Sequence, residues 1–477
     1  MNDITESYCR TADLQHRRRH AQFFTPDLVA RWMAEQIRGA QTLLDPALGL
    51  GIFPNQADAV SVVGYEIDPV VLRAAALDGV TVRQECFIQA DCWGERYDAV
   101  LANPPYKNYH DYDITLVDTI NSRLGVKLSR QANLSVLFLL KAVSMLKDGG
   151  TAAFIVPTEF MDCAYGTEVK RYLQPHLERV VVCQWDVFAD ALTTACLLVL
   201  KKNTSAATVQ FQTAPDISHM SAPNVVARSD LNPAEKWRQY WEKCPFKNTA
   251  TLDTYASVQR GIATGDNKYF CISRRRKEDL GLRHVLPCVS KSAHIKSAHF
   301  GESDFALLAE RGEPVYLVDM QGYEHEEEVQ RYLAHGQELG VHRRYLTRHR
   351  QPWYALEQRP VPDYFVGVFS RHGLKVIRNQ AKALSLTCFH HVRLADVERR
   401  GLLEAWLSTD ICKEVLWANR REYGGGLAKF EPSDLARGHV LDLESVTSAD
   451  CELACRLHRA GNASLLEHLC RRLVDDG

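Results

Sequence analysis

Leu43-Leu44-Asp45-Pro46-Ala47-Leu48-Gly49-Leu50-Gly51 runs from a short apolar strand into a turn that carries two glycines one residue apart. Beyond it, Glu66 closes the next apolar run, Val62-Val63-Gly64-Tyr65-Glu66-Ile67-Asp68. In a doubly wound α/β fold two such strand ends are neighbours at the switch point of the sheet, where an acid can accept hydrogen bonds from both ribose hydroxyls of a nucleoside. A pyrophosphate cofactor wants a third glycine at the start of the helix, and this chain has Pro54 there. A nucleoside without phosphate, such as S-adenosylmethionine, fits the pattern better.

Around this stretch, residues 1–200 alternate apolar runs with helical patterns, which predicts a mostly parallel sheet covered by helices. The predicted strands are Thr42–Leu44, Val60–Glu66, Val80–Gln84, Ala99–Ala102, Thr151–Val156, Val180–Gln184 and Leu197–Leu200. Pro26–Gly39 and Val136–Leu146 read as helices, the second stopped by Lys147-Asp148-Gly149-Gly150. From Asn203 to Asn232 the composition turns to Ser, Thr, Ala, Asn and Pro without strong periodicity, as in a linker, and the domain boundary falls near Cys244. The expected architecture is a Rossmann-like α/β domain over 1–244 followed by a mixed α+β domain over 245–477.

Composition agrees with two globular domains. The 477 residues are 46% apolar and 24% charged, which excludes a disordered or fibrous chain. The longest apolar run, Ser135 to Leu146, is cut by Lys141 and is too short to span a bilayer. His16-Arg17-Arg18-Arg19-His20 leads into Phe24-Thr25-Pro26-Asp27 rather than an apolar signal core, so a cytoplasmic protein without membrane contact is expected. The 14 cysteines contain no Cys-x-x-Cys and read as buried thiols. Cys451, Cys455 and His458 lie at helical spacing, with His468 or Cys470 as a possible fourth zinc ligand. Leu453, Leu457, Leu465, Leu466 and Leu469 make an amphipathic helix the better reading, and no metal is expected.

Net charge is −2, but it is unevenly spread: residues 1–200 carry −6 and residues 201–477 carry +4. The second half holds Arg274-Arg275-Arg276-Lys277 and the stretch from His342 to Arg350, interleaved with Tyr345, Trp353 and Tyr354. Such a half could neutralise phosphates, although a solvated basic surface would look the same.

Two further strand ends carry chemistry. Gln89-Ala90-Asp91-Cys92-Trp93 offers an acid for the exocyclic amine of a cofactor adenine, with Cys92 as apolar wall. Val100-Leu101-Ala102-Asn103-Pro104-Pro105-Tyr106 is the most specific signal in the chain. Its prolines withhold backbone donors and fix the course of the chain, so the Asn103 side-chain oxygen and the Pro104 carbonyl can both face one amino group as acceptors. Two acceptors draw the protons of an aromatic amine out of the ring plane and localise its lone pair for attack on a sulfonium methyl. Tyr106 can stack on the ring that bears the amine.

Taken in order, Phe23-Phe24-Thr25-Pro26, Asp45 to Gly51, Glu66-Ile67-Asp68, Asp91, Asn103 to Tyr106 and Ile155-Val156-Pro157 resemble the gamma-class DNA adenine-N6 methyltransferases of restriction-modification systems. The resemblance implies an S-adenosylmethionine site built from Thr25, Asp45, Ala47, Gly49, Glu66, Ile67, Asp91, Cys92 and Pro105, with Asn103, Pro104 and Tyr106 catalytic. Trp185-Asp186-Val187-Phe188 is similar to the family segment that packs on a flipped base, which makes Phe188 a second base contact beside Tyr106. Leu48 and Leu50 depart from the small or hydroxylated residues usual in the family, so these two positions offer the methionine moiety no polar side chain. Gly261 to Lys268 and Gly424 to Pro432 resemble target-recognition segments, which implies DNA contacts from Lys268, Gly425 and Lys429.

The expected function is therefore transfer of a methyl group to N6 of a flipped adenine in double-stranded DNA, by a monomer, with a restriction endonuclease encoded separately if one exists. Asn-Pro-Pro-Tyr also serves enzymes that methylate RNA adenine or protein glutamine, and the long basic second half favours DNA over both. A non-catalytic DNA-binding modification subunit is a further alternative, opposed by the intact Asn103 to Tyr106. Cytosine C5 methylation wants a thiolate after a proline at the fourth strand, and Pro287-Cys288 lies elsewhere. A fused nuclease finds little room before Phe23.

Overall fold

A computed structural model of the chain describes residues 3–188, 194–242, 246–396, 398–423 and 427–475. They fall into two compact units, Met1–Lys243 with Glu422–Gly426, and Cys244–Arg421 with Leu427–Gly477.

The first unit is built on a nine-stranded sheet: β1 Thr42–Asp45, β2 Ser61–Tyr65, β3 Val80–Arg83, β4 Tyr97–Ala102, β5 Leu146–Pro157, β6 Leu177–Cys183, β7 Ala195–Lys201, β8 Thr208–Ala214 and β9 Asn224–Ala227. Their order is 3-2-1-4-5-7-6-8-9. Pairing is parallel from β3 to β5, antiparallel on both sides of β7, parallel between β6 and β8, and antiparallel at the β9 edge. The order in which strands are added reverses between β1 and β4, with all of them parallel, so the carboxyl ends of β1, β2 and β4 open into one crevice. This is a doubly wound, Rossmann-like α/β sheet with an antiparallel strand, β7, inserted beside β5.

Both faces of the sheet are covered, and the inner strands are accordingly near-continuous apolar runs, such as Ala152 to Val156, all fully buried. The helix Leu134–Ser144 is buried on every side, Lys141 included. It ends at Ser144, earlier than expected, and Lys147 to Gly150 belong to the start of β5 rather than to a helix terminator. The presumed linker from Asn203 to Asn232 contains β8 and β9. Phe211 of β8 is buried against Trp237, Tyr240 and Trp241, which supply the apolar cover that the polar composition concealed.

The second unit is mixed α+β. A five-stranded sheet is formed in the order Ala256–Arg260, Phe389–Leu394, Tyr364–Gly367, Val376–Asn379, His299–Phe300, and a four-stranded one in the order Cys271–Ile272, Tyr316–Val318, Val285–Val289, Leu384–Ser385. The helices Arg400–Leu407, Asp410–Trp417, Ser448–Arg459 and Ala463–Asp475 gather around fully buried Trp406. The backbone amides of Lys247 and Asn248 donate to the Val474 carbonyl, at 3.1 and 3.2 Å, tying the first residues of the unit to its last helix. Cys451 and Cys455 are half-buried on that helical layer, His458 shares a hydrogen bond with Ser408, and Cys470 is buried. Among the described residues the one cluster of three metal-ligating side chains is His16, His20 and Asp68, in the first unit, so the C-terminal cysteines are not brought together with a histidine as a site.

Candidate active site

The crevice at the ends of β1, β2 and β4 is a cavity walled by the turn Pro46–Leu50, by Glu66 and Ile67, by Glu85 to Phe87, and by Asn103 and Pro105. It is closed from the other side by Thr5 and by the segment His20 to Thr25.

The turn after β1 takes its shape from glycines at positive φ, +53° at Gly49 and +81° at Gly51. A side chain at Gly51 would meet Leu77 Cδ2 at 2.6 Å. The amide of Gly49 donates to Glu66 Oε2 at 3.0 Å, and that of Asp68 donates to Glu66 Oε1 at 2.8 Å. Each carboxylate oxygen thus keeps acceptor capacity for a hydroxyl. Burial pushes the Glu66 carboxyl above the usual range, against the pull of these backbone bonds.

Asp45, the last residue of β1, is fully buried. Its Oδ1 accepts from the Ala47 amide at 3.1 Å, while Oδ2 is buried with no partner among the described residues. Burial, reinforced by the Glu66 charge, pushes its pKa up to about 8. Thr25 Oγ1 on the cavity wall is likewise buried and unpartnered. Buried polar atoms are normally paired, so the Thr25 orphan on the wall marks where a polar ligand completes the structure, with the second orphan, Asp45, beneath the turn that lines the same cavity.

Leu48 and Leu50 are buried at 2% and 6% exposure. Leu48 lies on Gly64 of β2, where a Cβ would sit 2.7 Å from its Cδ1. Leu50 packs with Tyr8 and Val71, beneath the N-terminal helix Asp3–Thr11. The departure from the family pattern is thus compensated by packing. Helix Leu14–His20 continues this cover. His16 Nε2 and Gln22 Nε2 each lie 2.6 Å from Asp68 Oδ2, and the Tyr8 hydroxyl donates to Gln22 Oε1 at 3.0 Å.

Asn103 donates through Nδ2 to the Phe23 carbonyl at 2.6 Å. A carbonyl can only accept, so the amide nitrogen must face Phe23 and Oδ1 must face away. Among the described residues nothing donates to Oδ1 or to the Pro104 carbonyl. The Tyr106 hydroxyl donates to the Ile155 carbonyl at 3.0 Å, which holds its ring in place. The rings of Tyr106, Phe23 and Phe188 form a triangle with centroids 5.7 to 6.0 Å apart.

Of the residues predicted from sequence, the cavity wall includes Thr25, Ala47, Gly49, Glu66, Ile67, Asn103 and Pro105, with Asp45 beneath the turn and Tyr106 and Phe188 in the aromatic triangle. Asp91 and Cys92 are misplaced by the sequence reading. The Asp91 side chain is 91% exposed and faces Arg123, and Cys92 is buried in the core. Strand β3 already ends at Arg83, and Glu85, Cys86 and Phe87 line the cavity in their stead. Lys141 holds this loop from below, donating from Nζ to the carbonyls of Phe87, Ile88 and Ala90 at 2.6, 3.3 and 2.7 Å. Phe23, Lys107 and the N-terminal helices are the other contributors that sequence reasoning missed. A count from the ends of β1 and β2 would have found Glu85; the N-terminal cover left no signal.

In the second unit, Lys268 is exposed, Lys429 is paired with Glu431 at 2.6 Å, and Gly425 lies outside the described residues.

Comparison with known proteins decides the family. The chain is 35% identical over 482 residues to the type II methyltransferase M.AccI of Acinetobacter calcoaceticus, covering 93% of this chain and 89% of that one. It belongs to the type II restriction-modification DNA methyltransferases. Residues 76–188 match the Eco57I restriction-modification methylase family, and residues 235–472 the C-terminal domain of type II methyltransferase M.Eco57I. M.XamI of Xanthomonas campestris pv. amaranthicola is 25% identical, with 91% of this chain and 87% of that one covered. The type IIL restriction-modification enzyme MmeI, solved in complex with DNA, shares the fold at TM-score 0.57 and 12% identity, over 99% of this chain and 71% of its own. The methyl donor of this DNA methyltransferase is S-adenosylmethionine. The partner-free oxygens of Asp45 and Thr25, the two-amide seat of Glu66, and an apolar wall of Ile67, Cys86 and Pro105 fit a cation that carries a ribose and a flat ring.

Proposed function

We propose that this methyltransferase acts on N6 of an adenine rotated out of double-stranded DNA. The observation that carries the reading is the Asn103 tether to Phe23, which turns Oδ1 away from that carbonyl and leaves it, like the Pro104 carbonyl, without a donor among the described residues. S-adenosylmethionine, when bound, supplies a methyl group on a positive sulfur. Asn103 Oδ1 and Pro104 O would accept hydrogen bonds from the two amine N–H groups, draw them out of the base plane and direct the nitrogen lone pair at the methyl. The N–C bond would form as the C–S bond breaks with loss of the neutral thioether, and the nitrogen would then lose one proton to solvent. Orientation of this kind supplies much of the acceleration in a two-body transfer.

Rotating a base out of the duplex costs a few kcal/mol. Stacking on aromatic rings returns ~1–3 kcal/mol per base, and Tyr106 with Phe188 is the pair proposed to supply it. Thr25, Asp45, Ala47, Gly49, Glu66, Ile67 and Pro105 hold the cofactor, with Glu85 and Cys86 in the place first given to Asp91 and Cys92. Sequence selection belongs to residues beyond 244, which match the M.Eco57I C-terminal domain. The same reading has a monomer working in the cytoplasm, beside a separately encoded endonuclease.

Nucleoside mass spectrometry of DNA from a host expressing the chain, with sequencing of modified bases, tests the reading. N6-methyladenine at a defined site is expected. N4-methylcytosine, or methyl transfer only to RNA or to glutamine, would overturn it. Asn103→Ala should lower turnover by orders of magnitude with cofactor affinity nearly unchanged; turnover at the wild-type rate would remove Asn103 from the chemistry.

A further inference from the structure

In the second unit the glycine turn 261–268 and the basic stretch 341–350 are one construction. Gly261 lies where a Cβ would meet the Leu386 carbonyl oxygen at 2.2 Å. Gly265, at φ +85°, lies where a Cβ would meet Thr347 Cγ2 at 3.0 Å and Leu346 Cβ at 3.2 Å. Arg350 crosses between the segments and donates to the Thr264 carbonyl at 2.9 Å and to the Ala263 carbonyl. Thr347 is fully buried and donates to the Val341 carbonyl. Asp266 caps the short helix Asn267–Phe270 and is paired with Arg344 at 2.9 Å.

This clamping leaves a shallow depression whose lining includes Arg260, Lys268 and Arg344, with Asp266 its single acid, already neutralised. Beside it stands a ridge of exposed residues, Arg343 to Leu346 and Arg348. Tyr345 is 72% exposed and Leu346 41%. The Arg348 guanidinium lies 5.3 Å from the centre of the Tyr345 ring and supports it from one side. A rigid cationic hollow beside an outward aromatic and a leucine has the chemistry to seat a polyanionic backbone while offering flat apolar surface to sugars and bases.

The other basic run, Arg274 to Lys277, is engaged within its own surroundings: Arg275 faces Asp279 at 3.8 Å, and Lys277 lies over Tyr316 at 5.3 Å.

We propose that Arg260 and Lys268 in this depression hold phosphates of duplex DNA, and that Tyr345 and Leu346 on its rim contact the bases and contribute to site selection. This rests on the reading of the chain as a duplex-DNA methyltransferase.

The test uses the full-length protein with S-adenosylmethionine and two 30-base-pair duplexes, one with the methylated site found in the expressing host and one with that site scrambled. Affinity is measured against salt concentration. Arg260→Gln with Lys268→Gln should reduce the slope of log affinity against log salt by about 1.8 on both duplexes, at roughly 0.9 per phosphate contact. Tyr345→Ala should keep the wild-type slope and lower the preference for the methylated site about tenfold, since an apolar contact releases no counterion. Arg275→Gln should change neither. Wild-type circular dichroism and resistance of residues beyond 244 to limited proteolysis show that each variant is folded in the second unit. A photoreactive phenylalanine analogue at position 345 should crosslink to the site-containing duplex. An unchanged slope in the double variant, an unchanged preference in Tyr345→Ala, or no crosslink would overturn the proposal. Wild-type protein that methylates no DNA, or prefers RNA of the same sequence, would overturn the underlying reading instead.

Discussion

Replacing Asp45 by Asn tests the reading of the buried carboxyl as the seat of a cation. The group is fully buried, has one oxygen without a partner, and holds its proton up to a pKa of about 8, against about 3.9 in an unfolded chain. Because the folded pKa lies above the unfolded one, its contribution to stability is full below about pH 4 and is lost as pH rises through about 8. Between pH 5 and pH 8 the wild-type protein, free of cofactor, should lose about 4 kcal/mol through this group at ~1.36 kcal/mol per pH unit. The amide carries no such dependence and costs instead a constant ~1–3 kcal/mol for an unmet polar group. Urea denaturation across that range should therefore show the variant gaining on the wild type by about 4 kcal/mol. At pH 7 about nine-tenths of the wild-type carboxyls are protonated, and a cationic cofactor favours the ionised form, so binding should release close to one proton. Calorimetry in buffers of different ionisation enthalpy reads that number directly, and the variant should release none while binding more weakly. Parallel stability curves together with no proton release in the wild type would refute the argument.

Three other substitutions follow from the same cavity. Glu66→Ala should weaken S-adenosylmethionine by ~1.5–3 kcal/mol, the range for a hydrogen bond to a charged group, and calorimetry showing unchanged affinity would take Glu66 out of the ribose site. Gly64→Ala forces a methyl against Leu48 and should cost ~1–3 kcal/mol in thermal unfolding, and the same substitution made in a Leu48→Ala background should cost little, since the clashing side chain is gone. Lys141→Met leaves the carbonyls of Phe87, Ile88 and Ala90 unmet, at ~1–3 kcal/mol each for those that water cannot reach, and should raise KM for the cofactor more than it lowers kcat; an unchanged KM would show that the loop does not depend on it.

The α/β fold was readable because its strands are short apolar runs ending in residues that stop a strand: Asp45-Pro46, Glu66 with Asp68, and Asn103-Pro104-Pro105. Where that punctuation failed, so did the reading. Asp91 follows an apolar-looking segment and resembles a strand-end acid, yet β3 stops at Arg83 and Lys141 folds the intervening loop back into the core. A lysine inside an apolar helix signals an exposed face by pattern alone, and only three-dimensional proximity shows three carbonyls waiting for it. β8 and β9 escaped notice because their partners, Trp237 and Tyr240, come after a polar stretch and exert no local periodicity. The N-terminal helices were illegible as part of the site, since their relation to Leu50 and Asp68 is purely one of tertiary packing.

The hydrogen bonds from Lys247 and Asn248 to Val474 bear on how the protein is made. The nine-stranded sheet and its aromatic cover are complete at Trp241, so they can form while residues 242 to 474 are still to be synthesised. At roughly 5–20 residues per second that interval lasts about 12 to 50 s. The second unit cannot close until Val474 has emerged to meet the residues that open the unit. A nascent chain therefore passes through a stage in which the half that binds the methyl donor is shaped and the other half is not. Ribosome-bound chains arrested after Trp241 has emerged and before Val474 would show this as protease resistance confined to the first unit.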